Sequence, residues 1–148
     1  MGKIIFVYAT TSGNTEWVVK SVSEAMKEAG NEVTLQRVEG AKVDDLNNYD
    51  LIVLACPTYG EGQMQEYFDP FYKEFITKKF TGKKFASIAL GDSKNYDVFC
   101  GAADRLDEGI KAVEGVQIMP TLRIDGMVYG REEEWKTWGK TLASVFVK

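Results

Sequence analysis

Between residues 10 and 15 the chain reads TTSGNT, so hydroxyl or amide side chains at Thr10, Thr11, Ser12, Asn14 and Thr15 surround Gly13, with neither Lys nor Arg among them. Such a loop can hold an anion through hydroxyls, backbone N–H groups and the dipole of a following helix, without a counter-charge. It can equally start a helix, with Asn14 or Thr15 as the cap and Glu16 supporting the dipole from the first turn. The loop lacks the Gly-Lys-Ser/Thr of the nucleoside triphosphate loop and the three spaced glycines of the dinucleotide fingerprint. With no lysine and no obvious magnesium ligand, the anion reading is of a phosphate held rather than transferred.

Two further stretches carry polar and aromatic residues of the same kind. One is PTYGEG, Pro57 to Gly62, and the other runs from Gly91-Asp92-Ser93 through Tyr96 to Phe99. Each supplies one tyrosine, and two aromatics facing across a crevice make a slot for a flat conjugated ring. Taken singly, Tyr59 and Tyr96 read as ordinary amphipathic residues. Cys56 and Cys100 have neither metal-ligand spacing nor the density of a secreted disulfide scaffold. The chain has no histidine, which removes the usual working residue of zinc sites, Ser-His hydrolases and phosphorelays. A net charge of −4 argues against nucleic acid and for a basic protein partner.

The elements that must position these loops follow from the apolar pattern of the 148 residues. Lys3 to Ala9, Leu51 to Cys56 and Lys84 to Leu90 are short continuous apolar runs, the mark of strands buried on both faces. Glu32 to Val38 alternates, as a strand with one wetter face does. Val116 to Ile124 predicts a fifth strand with Pro120 inside it, an awkward residue for a ladder. Helical spacing runs from Asn14 to a stop at Gly30, from Glu66 to Thr77 with Pro70 near its start, from Cys100 to Val113, and from Arg131 to Val147.

Strands alternating with helices predict parallel pairing with helices on both faces. Five strands fit the order 2-1-3-4-5 better than a six-stranded dinucleotide fold. The reading is of one domain, residues 1–148. In such sheets ligands sit beyond the carboxyl ends of the strands, where the order reverses, and that edge is built by the loops after strands one, three and four. No apolar run reaches the roughly 20 residues that cross a bilayer and no signal-peptide cleavage pattern opens the chain, so the expectation is a cytoplasmic protein with no membrane contact.

Together, TTSGNT after the first strand, PTYGEG after the third and GDS followed by YDVFCGA after the fourth resemble the short-chain flavodoxins, from Lys3 through the last helix. The resemblance implies an α/β flavodoxin-like three-layer sandwich with a five-stranded parallel sheet. It implies a noncovalent FMN whose phosphate sits among Thr10, Thr11, Ser12, Gly13, Asn14 and Thr15. Thr58 and Asp92 would contact the ribityl chain and ring, backbone near Asp92 and Cys100 the pyrimidine, and Tyr59 and Tyr96 would stack on the ring. Pro57, Gly60, Glu61 and Phe99 complete the implied cofactor-binding set, with no catalytic residue and no metal ligand. Cys56 reads as a small hydrophobe behind the site. There are two departures: Tyr59 stands where flavodoxins often have Trp, and Lys94 and Asn95 precede Tyr96 in a slightly longer loop, which brings a cation near the ring.

The implied function is a low-potential one-electron carrier that shuttles between semiquinone and hydroquinone. A peptide beside Gly60 can turn cheaply, presenting a carbonyl of the Gly60–Glu61 unit to the ring's N5–H. Asp92, Asp97, Glu61, Glu66 and Asp69 lie on or near these loops and disfavour the second negative charge. The same acidic rim would steer the carrier, as a monomer, onto redox proteins with basic docking surfaces, such as a flavin reductase or an iron–sulfur or other acceptor enzyme. The alternative is an FMN-dependent quinone or NAD(P)H oxidoreductase of the same fold. A phosphoacceptor signalling module is set aside, because it needs acidic residues where Ala9-Thr10-Thr11 and Cys56-Pro57 stand.

Overall fold

In the computed structural model, which describes residues 2–10, 13–59, 63–91, 101–125 and 130–146, the predicted strands pair side by side. The chain runs β1 (Lys3–Tyr8), α1 (Asn14–Glu28), β2 (Glu32–Arg37), β3 (Leu51–Tyr59), β4 (Gln63–Met64), α2 (Phe68–Phe75), β5 (Lys84–Gly91), α3 (Gly101–Ala112), β6 (Val116–Gln117), β7 (Leu122–Asp125) and α4 (Glu132–Val145). The central order is β2-β1-β3-β5, and β6 and β7 both pair with β5 in the fifth position. All these pairings are parallel, with Ile4 opposite Leu51 and Leu51 opposite Lys84. This is the 2-1-3-4-5 order, and β1 and β3 flank its switch point.

Alternation along the strands divides the core into two layers. Ile4, Phe6 and Tyr8 of β1, with Val53 of β3 and Ile88 of β5, pack against Val18, Val22 and Met26 of α1 and Trp135 and Leu142 of α4. Ile5, Val7, Leu54 and Phe85 face the other way, onto Phe68, Phe71 and Phe75 of α2 and Ala103, Leu106 and Ile110 of α3. Phe75, Phe80 and Phe85 interlock in that second layer, with ring centroids 5.6 to 6.1 Å apart. A sheet covered on both faces must be apolar throughout, which is why β1, β3 and β5 read as unbroken runs.

The structure departs from the sequence reading in three places. First, β3 does not stop at Pro57: it continues to Tyr59 and turns back through β4, pairing Thr58 with Met64 and Tyr59 with Gln63. Pro57 is accommodated because it lies near the strand's end, beside Leu90 of β5, where one missing N–H costs little. Second, the fifth strand is two pieces. Pro120 interrupts the ladder between Gln117 and Leu122, and its carbonyl instead accepts a hydrogen bond from Trp138 Nε1 at 3.1 Å. The break is anchored by Gln117 and Thr121, which both donate to Asp107 of α3. Third, β2 has no distinct wet face: Val33 to Gln36 are all half-buried, because an edge strand lies at the margin of both helix layers.

Two glycines that pack against core side chains give a stability test. An added Cβ at Gly139 of α4 meets Val22 and Ala25 of α1 at 3.5 Å, an ordinary contact, whereas at Gly115 it meets the Phe85 ring at 2.6 Å. Phe85 is held by Phe75 and Phe80 and cannot retreat. Gly139→Ala is expected to stabilise the fold by about 0.5–1 kcal/mol through helix propensity, and Gly115→Ala to destabilise it by about 1–3 kcal/mol through overpacking. Chemical denaturation of the two variants checks both signs.

Candidate functional site

The loop after β1 delivers a helix N-terminus to the carboxyl edge of the sheet. Gly13 occupies the N-cap position of α1 with φ +90° and ψ −6°, a conformation that L side chains rarely adopt. A glycine has no side chain with which to cap, and the first intrahelical bond runs from the Trp17 N–H to the Gly13 carbonyl at 3.0 Å. The amides of Asn14, Thr15 and Glu16 therefore precede the helix's own acceptors. Asn14 and Thr15 are the first two helical residues, so the alternative in which one of them caps the helix is replaced by a glycine cap. Thr10 Oγ1 accepts a hydrogen bond from the Gly13 N–H at 2.9 Å, which closes the turn and leaves the Thr10 O–H as a donor. This end of a fifteen-residue helix suits a phosphate: amides converge, the dipole favours negative charge, and the space a Gly13 Cβ would enter is open to 4 Å.

The second loop begins on the last residues of β3, which pair antiparallel with β4. Pro57 is half-buried beside it, and Thr58 and Tyr59 form the last two positions of β3. Cys56 lies behind this edge with no exposure, and its thiol donates to the Pro57 carbonyl at 3.2 Å. Burial pushes the Cys56 pKa up to about 12, so the side chain is a packed thiol rather than a nucleophile. Sequence reasoning missed Gln65. It is 2% exposed, and its Oε1 accepts from the Tyr67 and Phe68 N–H groups at 2.7 and 3.2 Å. One side chain thus ties the hairpin's return to the start of α2. Pro70 falls in that helix's first turn, where its missing N–H is harmless.

The third loop begins where β5 ends at Gly91, beside Asp125 of β7. Of the expected cofactor-binding residues, Thr10, Gly13, Asn14, Thr15, Pro57, Thr58 and Tyr59 thus line one sheet edge. Thr11, Ser12, Gly60, Glu61, Asp92, Tyr96, Phe99 and Cys100 lie outside the described residues, as does the acidic Asp97. Glu66 is exposed, and Asp69 pairs with Lys73 at 3.0 Å on the outside of α2.

A polar cluster at the base of the first loop was also absent from the sequence reading. Tyr8 is the last residue of β1 and 6% exposed, and its hydroxyl donates to Glu16 Oε2 at 2.9 Å across the loop. Arg37, opposite Tyr8 in the β1–β2 register, donates to the same oxygen at 3.2 Å, and Lys20 Nζ lies 3.5 Å from Glu16 Oε1. The Tyr8 hydroxyl is the main influence holding the Glu16 carboxyl below its ordinary value; Lys20 and Arg37 add to it and burial opposes. Tyr8 is pushed up, by burial first and then by Glu16. The one available clue was Glu16 three residues after Gly13, a spacing that reads as dipole support alone.

Comparison with known proteins gives a consistent result. The family model for flavodoxin matches residues 6–138. The flavodoxin of Maridesulfovibrio salexigens is 36% identical over 146 residues, covering 97% of this chain and 98% of its own. The crystal structure of oxidised flavodoxin 2 from Bacillus cereus superposes with a TM-score of 0.92 at 27% identity, covering 97% of this chain and 99% of the other. A Fusobacterium nucleatum flavodoxin solved bound to flavin mononucleotide has a TM-score of 0.81 at 17% identity, covering 99% and 100%, and shares the fold.

Two outcomes follow from the loop and its base. Because nothing surrounds a Gly13 Cβ, substitution there costs backbone strain alone: Gly13→Ala is expected to destabilise by about 1–2 kcal/mol and Gly13→Asn by less, since Asn tolerates the left-handed region. Thermal melts of the two variants read the difference. Glu16 is a group whose folded pKa is depressed, so its contribution is present above the unfolded value near 4.5 and is lost as pH falls through the folded one. The unfolding free energy of the wild type should therefore fall more steeply below pH 4.5 than that of Glu16→Gln; parallel curves would show that the cluster adds nothing.

Proposed function

The chain belongs to the flavodoxin family, and from that premise we propose that it is a low-potential one-electron carrier that holds FMN noncovalently and passes electrons between redox proteins. It is an electron-transfer protein rather than an enzyme with a substrate of its own. The observation that carries the assignment of the cofactor is the N-terminus of α1: a glycine-capped helix whose free amides meet the carboxyl edge of a parallel sheet at its switch point, in a loop without a cation. That donor set fits a phosphate held by dipoles. The fold shared with a flavodoxin solved with flavin mononucleotide supports the same reading.

When bound, FMN supplies the one-electron chemistry. Thr10, Thr11, Ser12, Gly13, Asn14 and Thr15 hold its phosphate through hydroxyls and backbone N–H groups. Pro57, Thr58 and Tyr59 at the end of β3 with Gly60 and Glu61 after it, and Asp92, Tyr96, Phe99 and Cys100 after β5, would hold the ring, with Tyr59 and Tyr96 supplying aromatic surface to it. The peptide beside Gly60 would offer a backbone carbonyl to the ring edge as a hydrogen-bond acceptor. Carboxylates on these loops disfavour added negative charge and keep the second potential low. Single-domain residues 1–148 act as a cytoplasmic monomer that docks on basic surfaces of a reductase or an iron–sulfur or other acceptor enzyme.

Stepwise reduction of the FMN-loaded protein, followed by visible absorption, tests the assignment. Two resolved one-electron steps are expected, the second at a potential below that of free FMN, with a long-wavelength band rising and then falling between them. A single two-electron step together with rapid NAD(P)H oxidation, in the absence of a reductase, points instead to the oxidoreductase. Failure to take up FMN removes both.

A further inference from the structure

The loop proposed to hold the phosphate carries no cation, yet a guanidinium sits beside it. Arg37 ends β2 opposite Tyr8, two residues before Thr10, and so reaches the sheet edge from which the loop departs. Its guanidinium is turned to Glu16 at 3.2 Å and Glu39 at 3.8 Å. Lys20, one turn along α1, meets the other oxygen of the same carboxylate. Glu16 is in turn fixed by the Tyr8 hydroxyl, so one side chain joins the residue before the loop to the first turn after it. Among the described residues, the charged and titratable groups facing Glu16 are thus Tyr8 from β1, Lys20 from α1 and Arg37 from β2, with Glu39 beyond.

Resting on the assignment of this loop to the FMN phosphate, we propose that Glu16 is a positioning residue that withholds Arg37 from that phosphate and ties the loop's base together through Tyr8. A carboxylate at the third position of the helix opposes a phosphate at its N-terminus, and this alone makes little sense for affinity. It makes sense if its task is to immobilise the neighbouring cation, so that the pair is neutral and the anion is held by dipoles only. A mobile guanidinium within about one Debye length would otherwise draw the phosphate out of its amides and add positive potential near the ring.

The test is a charge cycle on the apoprotein. Glu16→Gln keeps the size of the side chain and an acceptor for Tyr8 but takes from Arg37 its nearer carboxylate, leaving Glu39 at 3.8 Å; Arg37→Gln leaves Glu16 with Lys20 alone as its cationic partner among the described residues. At low salt, FMN affinity is expected to rise about three- to tenfold in Glu16→Gln, to fall by a similar factor in Arg37→Gln, and to return to within about twofold of wild type in the double variant. Both single changes should shrink at high salt, and riboflavin, which lacks the phosphate, should bind all four proteins alike. Thermal stabilisation by inorganic phosphate should follow the same order as FMN, which gives a readout even if no flavin binds. A gain in Glu16→Gln that persists in the double variant, or losses shared by riboflavin, would overturn the role assigned to Glu16. Failure of the wild type to bind FMN would count against the cofactor assignment alone.

Discussion

A parallel sheet sends every strand out at the same edge, and the rest of this molecule follows from that constraint. The backbone cannot reverse directly into the next strand, so each exit feeds a helix or a long return across a face. Covering both faces makes β1, β3 and β5 apolar on both sides, which in turn leaves chemistry to the exits. Because β2 lies to one side of β1 and β3 to the other, the chain parts at the β1–β3 boundary. The polar loop after Tyr8 and the hairpin after Tyr59 open beside each other there, and Gly91 ends the adjoining strand.

The described part of the first loop, Thr10 and Gly13 to Thr15, carries no formal charge. Gly13 takes the cap position that Ser, Thr, Asp or Asn would ordinarily fill, and so leaves the first amides of α1 without an internal partner. The Thr10 hydroxyl shapes the turn by accepting from Gly13. Glu16 gathers Arg37 and Lys20 one layer away. Cys56 and Gln65 lie under the hairpin, and each is satisfied locally: the thiol by the Pro57 carbonyl, the amide oxygen by two N–H groups at the start of α2. These groups fix the shape of the edge.

How much of this was legible follows from which interactions are local in sequence. Apolar periodicity marks the strands of the central sheet, α1 and α4, because burial on one or two faces is written into successive residues. The strand order followed from alternation and length, and TTSGNT announced the loop by composition. Pro57 and Pro120 look alike in sequence, yet β3 runs through one and the fifth strand breaks at the other. The difference lies in their partners: Pro57 sits near a strand end against β5, whereas at Pro120 the carbonyl has gone to Trp138 of α4. The contact between Glu16 and Arg37 spans 21 positions, and only the parallel pairing of β1 with β2 brings them together. Gln65 was hidden for the opposite reason, since a polar residue in a glycine-rich loop gives no sign that it will be buried.

The broken fifth strand bears on how the molecule behaves in a crowd. A sheet of this kind exposes two margins, and an uninterrupted margin is a template on which another chain can add a strand. Here the β6–β7 margin offers two residues, then a proline-centred gap, then four more with Arg123 projecting among them and paired to Asp104. An incoming strand would find its register lost at the gap and a charge pair to disrupt beyond it. The margin therefore gives little purchase to a strand from a second chain, and side-by-side sheet association is discouraged there.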